Sequence, residues 1–166
     1  MAEQSPVARA AQLGLRLAAL ASPLAPLLTR LVMGQAFFLT GRGKLEHFDN
    51  TVSFFTQLGI PLPEVNAAFI SRLEYYGGIL LILGLLTRLV AAGLASTMVV
   101  ALLTADREHF LNAFFLRGDA GLTDITPFVY LLFLIWLVLS GPGLLSLDTF
   151  VSKAIGATPP KEPESR

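Results

Sequence analysis

Apolar residues run in four long blocks along this chain, at about Leu24 to Thr40, Asn66 to Leu86, Leu89 to Ala105 and Asp124 to Ser140. About 20 apolar residues wound as a helix cover the roughly 30 Å hydrocarbon core of a bilayer. Blocks of this length, repeated four times, predict an all-α fold, a polytopic membrane four-helix bundle. Ser22, Pro23 and Pro26 punctuate the start of the first block, because proline fits a first helical turn and disrupts later ones. Gly141-Pro142-Gly143 stops the fourth. Only Thr87-Arg88 joins the second and third blocks, which therefore form a tight antiparallel hairpin.

Between the first two blocks the pattern changes. Phe48, Val52, Phe55 and Leu58 recur at helical spacing, so a short amphipathic helix is expected over Phe48 to Gly59, opened by Asp49 or Asn50 and closed by the glycine. Ile60-Pro61-Leu62-Pro63 then turns the chain into the second block. Ahead of the first block, Arg9, Gln12 and Arg16 share one helix face and Leu13, Leu17 and Leu20 another, which describes a basic N-terminal amphipathic helix on a membrane surface. A signal peptide competes for these residues, with Ala19-Leu20-Ala21 as its cleavage site, but Arg16 interrupts its apolar region. The tail from Ala157, ATPPKEPESR, has almost nothing to bury, and disorder is expected there. The chain thus divides into an amphipathic segment at 1–22, a four-helix domain at 23–150 and a disordered tail at 151–166.

Composition narrows the function classes. Of 166 residues 54% are hydrophobic and 14% charged, too apolar for one small soluble core. Twelve basic and 12 acidic residues cancel without forming a run, which excludes the electrostatic footprint of a nucleic-acid binder. The absence of cysteine removes disulfides, thiol catalysis and iron–sulfur clusters on the chain's own thiolates. His47 and His109 fall in separate predicted loops without ligand spacing, so neither a metal nor a haem site is expected. No catalytic residue is assigned, and no phosphate loop, nucleophile elbow or solenoid-period repeat is evident. Four spans leave both termini on one side. If that side is cytoplasmic, it carries Arg9, Arg16, Arg88, Lys153, Lys161 and Arg166 against Arg42, Lys44, Arg72, Arg107 and Arg117 opposite, a thin bias in the sense of the positive-inside rule.

The chemistry concentrates in polar residues that the apolar blocks enclose. Glu74 lies inside the second block, where an ionisable group needs a partner, a proton or a purpose. Glu74, Gly78, Leu81, Leu85 and Arg88 follow a 3.6-residue period, with Gly77 and Gly84 beside them, while Arg30, Gly34, Phe37, Phe38 and Gly41 form a stripe on the first block. Glycines on such stripes permit close helix approach, and packing the two together turns Arg30 and Glu74 into the bundle. At about 1.5 Å per residue, roughly 10 Å of height separates them. Long side chains close that gap directly or through Tyr75 or Tyr76, while Lys44 or Arg72 approaches Glu74 from the outer side. Either this pair is a structural bridge that fixes register, or it lines a ligand or proton site with the neighbouring aromatics. Burial favours a neutral carboxyl group and a nearby cation the charged one, the balance on which proton exchange depends. Phe128, Tyr130, Phe133 and Trp136 are read as packing and lipid-facing groups.

These residues also carry a family resemblance. Arg30-x-x-x-Gly34-x-x-x-Phe38 precedes Gly43-Lys44 and Leu58-Gly59-Ile60-Pro61. Glu74-x-x-Gly77-Gly78, Gly84-x-x-Thr87-Arg88 and Gly141-Pro142-Gly143-x-x-Ser146-Leu147-Asp148 follow. In order and spacing this resembles the DoxX family of small four-helix membrane proteins, over about Thr29 to Asp148. Gly121-Leu122-Thr123-Asp124 departs from a Gly-Gly-x-Glu-like entry to the fourth helix, so any acidic role there falls to Asp124. The family is named from a subunit associated with terminal quinol oxidation and thiosulfate:quinone oxidoreduction, and some relatives are linked to a membrane complex that handles oxidative and thiol stress. The resemblance implies a multi-pass protein of the bacterial inner (plasma) membrane, with cytoplasmic N and C termini, in a respiratory or redox-defence system. It further implies a quinone ligand and a partner oxidoreductase that supplies the catalysis. Arg30, Lys44, Glu74, Tyr75 and Arg88 would line or bracket the quinone pocket, and Gly34, Gly77, Gly78 and Gly84 would pack the helices. The alternative is a membrane scaffold or assembly factor whose buried charges serve the fold. A small transporter is disfavoured, because no two blocks show the broken-helix pairing of inverted-repeat carriers.

Overall fold

The computed structural model describes residues 6–117, 119, 121–154 and 156, and all regular structure among them is helical. α1 spans Pro6–Ala21, α2 Leu24–Glu46, α3 Phe48–Gln57 and α4 Pro63–Leu83. α5 spans Thr87–Leu103, α6 Arg107–Phe114, α7 Thr126–Ser140 and α8 Leu147–Ala154, with a 3₁₀ turn at Leu122–Asp124 before α7. The breaks fall where the local chemistry asks for them. Pro63 and Pro127 occupy the first turns of α4 and α7, where a missing N–H costs nothing. Gly84 (φ 69°) and Gly141 (φ 81°) end those two helices in backbone conformations that other residues adopt only with strain.

α2 packs against α4 and α5 against α7, each pair antiparallel, and contacts of α4 with α5 and of α2 with α7 close the ring. Met33, Phe37, Leu81, Val90, Leu94, Leu134 and Leu137, drawn from all four helices, fill its centre. A second cluster lies under α6, where Leu102, Ala113 and Ile125 gather Phe110, Leu122, Phe128 and Leu131. The expected short helix is present as α3, with Phe55 buried beneath it. Its start differs from expectation: His47 occupies the cap position, and neither Asp49 nor Asn50 caps with its side chain.

The four blocks become helices of unequal length. Among the described residues only α2, with 23 residues, is by itself both long and apolar enough to cross a membrane. α5 reaches that length only together with α6, from which it is bent by 85°, and α7 is a shorter apolar helix of 15 residues. All four nevertheless turn large apolar side chains outward, among them Val32, Leu39, Phe69, Leu89, Leu103, Leu132 and Leu139. In α1, Gln12, Leu15 and Arg16 are exposed, while nothing is described of the side chains of Arg9, Leu13, Leu17 and Leu20. α8 runs to Ala154, past the boundary at 151 expected for the tail, and the segment from Ala157 lies outside the described residues.

Candidate functional site

Glycines set the seam on which the polar residues hang. A Cβ at Gly34 would stand 2.7 Å from the carbonyl oxygen of Gly78, Gly78 backs onto the Phe38 backbone, and Gly41 backs onto Tyr75. This ladder fixes an antiparallel register in which the last turn of α2 meets the middle of α4. Lys44 lies on that last turn, and its Nζ donates to Oε1 of Glu74 at 2.5 Å. Glu74 is 1% exposed, and its Oε2 has no hydrogen-bond partner among the described residues. The Lys44 side chain keeps 32% of its surface open. Beside it lies a shallow groove of about 380 Å³, walled by Thr40, Lys44, His47, Phe54 and Phe55.

The groove is held by the joint between α2 and α3. The buried Thr51 hydroxyl is shared between the carbonyls of Lys44 and His47, at 3.3 and 3.2 Å. Nδ1 of His47 lies 3.1 Å from the carbonyl oxygen of Gly43. A neutral imidazole that donates there presents Nε2 as an acceptor. His47 and Thr51 were not among the residues expected at the site. Their spacing from Lys44, three and seven residues along a nearly continuous helix, is the signal that marks them. Tyr75 is half-buried on the other flank, its ring 5.0 Å from that of Phe38 and 5.1 Å from that of Tyr76.

The expected approach of Arg30 to Glu74 does not occur. Arg30, 1% exposed, lies against Gly84, and its Nη2 donates to the carbonyl of Leu145. Glu74 meets Gly41, ten positions along α4 from Gly84, a separation of about 15 Å. The charges therefore occupy opposite ends of the seam. Around Arg30 the C-terminal segment folds back. The carboxylate of Asp148 accepts from the backbone N–H groups of Leu86 and Thr87 at 2.7 and 2.9 Å, and the Asp148 N–H donates to the Gly84 carbonyl at 2.9 Å. Arg30 Nε and Nη1 and the Thr87 hydroxyl have no hydrogen-bond partner among the described residues. Arg88 is exposed, with its guanidinium against Gly141, and does not border the groove beside Lys44.

The remaining expectations resolve locally. Arg72 does not reach Glu74; its Nη1 bonds the Ala68 carbonyl on its own helix. Gly34, Gly41 and Gly78 line the α2–α4 seam, whereas Gly77 faces Val90 and Leu94 of α5. Asp124 accepts from the Gly121 N–H at 2.8 Å, closing the turn before α7. Two buried polar centres result. At the first, Lys44 borders a groove with Glu74 buried behind it, and the second, at Arg30, ties α8 and the segment before it to the α4–α5 turn.

Among the described residues the fold is an all-α bundle with an apolar exterior, a glycine seam and buried ionisable groups at both ends. The chain is a member of the DoxX family, whose model matches residues 25–107. It is 38% identical over 129 residues to the Bacillus subtilis protein named "Putative oxidoreductase CatD", covering 76% of this chain and 87% of that one. It is 33% identical to "Uncharacterized membrane protein Rv3486" of Mycobacterium tuberculosis, over 75% of this chain and 79% of the relative. Identity to "Inner membrane protein YphA" of Escherichia coli is 30%, over 77% and 91%. No solved structure matches the chain.

Proposed function

We propose that this protein is an integral membrane component of a respiratory or redox-defence system that holds a quinone headgroup at Lys44 and Glu74 and works with a partner oxidoreductase. The observation that carries the reading is a buried carboxylate with one oxygen paired and the other unused, beside a cation still one-third open to an aromatic-walled groove. A quinone supplies two carbonyl acceptors and takes up protons on reduction. Lys44 is placed to hold a carbonyl oxygen through its ammonium. Glu74, paired with Lys44 behind the groove, and the free nitrogen of His47 are the groups able to exchange protons there, and Phe54 and Phe55 form the aromatic wall. Arg30 and Arg88 fall outside this site.

The membrane reading rests on the outward apolar surface of α2, α4, α5 and α7, more than a soluble monomer normally exposes. Two relatives named as membrane proteins agree with it. In this placement the termini are cytoplasmic, and Lys44 and Glu74 lie toward the outer face.

The test is extraction of wild type and Glu74→Gln in native-lipid nanodiscs, with mass spectrometry of quinone and co-purifying proteins from the same sample. Quinone retained by wild type and lost by a folded variant is the expected result. A constant protein partner, with no quinone enriched in either sample, would replace the reading with a scaffold.

A further inference from the structure

Leu27-Leu28-Thr29-Arg30-Leu31-Val32, near the start of α2, recurs letter for letter as Leu85-Leu86-Thr87-Arg88-Leu89-Val90 at the start of α5, 58 positions on. The folded chain repeats with it. Moved by 58 positions, α3 covers 106–115 and matches α6, Arg107–Phe114, to within one residue at each end. Moved by 57, α4 ends at residue 140, where α7 ends. The next residues, Gly84 and Gly141, both have positive φ. The arginine of each hexapeptide lies against the glycine that closes its own unit, Arg30 against Gly84 and Arg88 against Gly141. Phe55, buried in α3, corresponds to Ala113, buried in α6. The main helix pairings also repeat, α2 on α4 and α5 on α7.

We infer that the chain is two copies of one helix–short helix–helix unit, and that the Lys44–Glu74 pair is an addition to the first copy, not part of what holds a unit together. In the second copy the position of Lys44 is Leu102, 58 on, and that of Glu74 is Leu131, 57 on. These two share one apolar cluster: Leu102 is buried in it with Ala113 and Ile125, and Leu131 packs against that cluster. The equivalent positions hold an ion pair in the first copy and two leucines of one apolar cluster in the second. Desolvation offsets most of the attraction in a buried ion pair, and apolar side chains of similar volume replace it at little or no loss. A unit that packs through leucines has no need of charges to pack. The pair therefore marks a single ligand site per chain, a step that rests on the quinone reading above.

The test transplants the second copy's leucines into the first. Lys44→Leu/Glu74→Leu is compared with Lys44→Leu alone and with wild type in native-lipid nanodiscs, by thermal unfolding and by bound quinone. The double variant is expected to melt within about 5 °C of wild type, and Lys44→Leu, which strands the carboxylate, about 10 °C below it. A double variant that fails to fold, or melts below Lys44→Leu, overturns the inference. A folded double variant without the quinone that wild type retains supports both the duplication and the site. A folded double variant beside a wild type that holds no quinone leaves the pair dispensable for folding, as inferred, and removes the quinone reading instead.

Discussion

Neighbouring glycines do different work in this bundle, and single substitutions separate them. A Cβ at Gly78 would stand 2.6 Å from the Gly34 carbonyl oxygen and nearer still to the Phe38 N–H nitrogen, so backbone would have to move on both sides. Gly78→Ala is expected to lose about 1–3 kcal/mol. At Gly93 the nearest atom to an added Cβ is a Leu73 methyl at 3.5 Å, an ordinary contact, and Gly93→Ala is expected to gain about 0.5–1 kcal/mol from helix propensity. Thermal unfolding of both variants in one detergent checks the pair, and equal stability of the two would contradict the α2–α4 register. The stripe of glycines is visible in the sequence because small residues at helical spacing announce a close approach. Which helix approaches is not visible: Gly77 and Gly78 are adjacent, yet one faces α5 and the other α2. The partner of Glu74 was legible only as a choice among cations, since Arg30, Lys44 and Arg72 all stand within reach until the register is known. The acceptor that Arg30 finds was hidden for a related reason, because the Leu145 carbonyl arrives from 115 positions away.

Helices announced by long apolar blocks were legible, and the short ones less so. α6, Arg107–Phe114, is polar along much of its length and is held by packing of Ala113 and Phe110 on Leu102 and Phe128, contacts no local pattern encodes. α8 likewise owes its place to a long-range bond. Asp148 lends its carboxylate to the first N–H groups of α5, which lack acceptors within their own helix. Charge-assisted bonds to such groups are worth about 1–3 kcal/mol in total. Asp148→Ala is therefore expected to cost that much, and hydrogen exchange is expected to quicken at Leu86 and Thr87 while the centre of α4 stays protected. Uniform loss of protection across α4 and α5 would mean that the α4–α5 turn depends on α8 to fold at all. The repeated hexapeptide was on view in the sequence, but in a leucine-rich chain six letters carry little weight. They acquire it when both arginines are found against glycines that close equivalent helices.

On the scale of the whole molecule, the two ends of the bundle differ in kind. The α3 end carries Lys44, Glu74 and the groove; the opposite end gathers Arg30, Gly84 and Asp148 under α8. If the bundle crosses a membrane, these centres face different compartments, and the side that Lys44 and Glu74 face decides where protons are exchanged. The chain has no cysteine, so a single introduced thiol reports one position without background. Thr56 on α3 and Lys153 on α8 are both exposed. With termini in the cytoplasm, Thr56→Cys is expected to react with a membrane-impermeant maleimide on intact spheroplasts, and Lys153→Cys only after lysis. The reverse result would turn the bundle over and bring the Lys44–Glu74 groove to the cytoplasmic side, where a soluble oxidoreductase could reach it directly. Reaction of both thiols on intact spheroplasts would be incompatible with a bundle whose α3 and α8 ends lie on opposite faces of a bilayer.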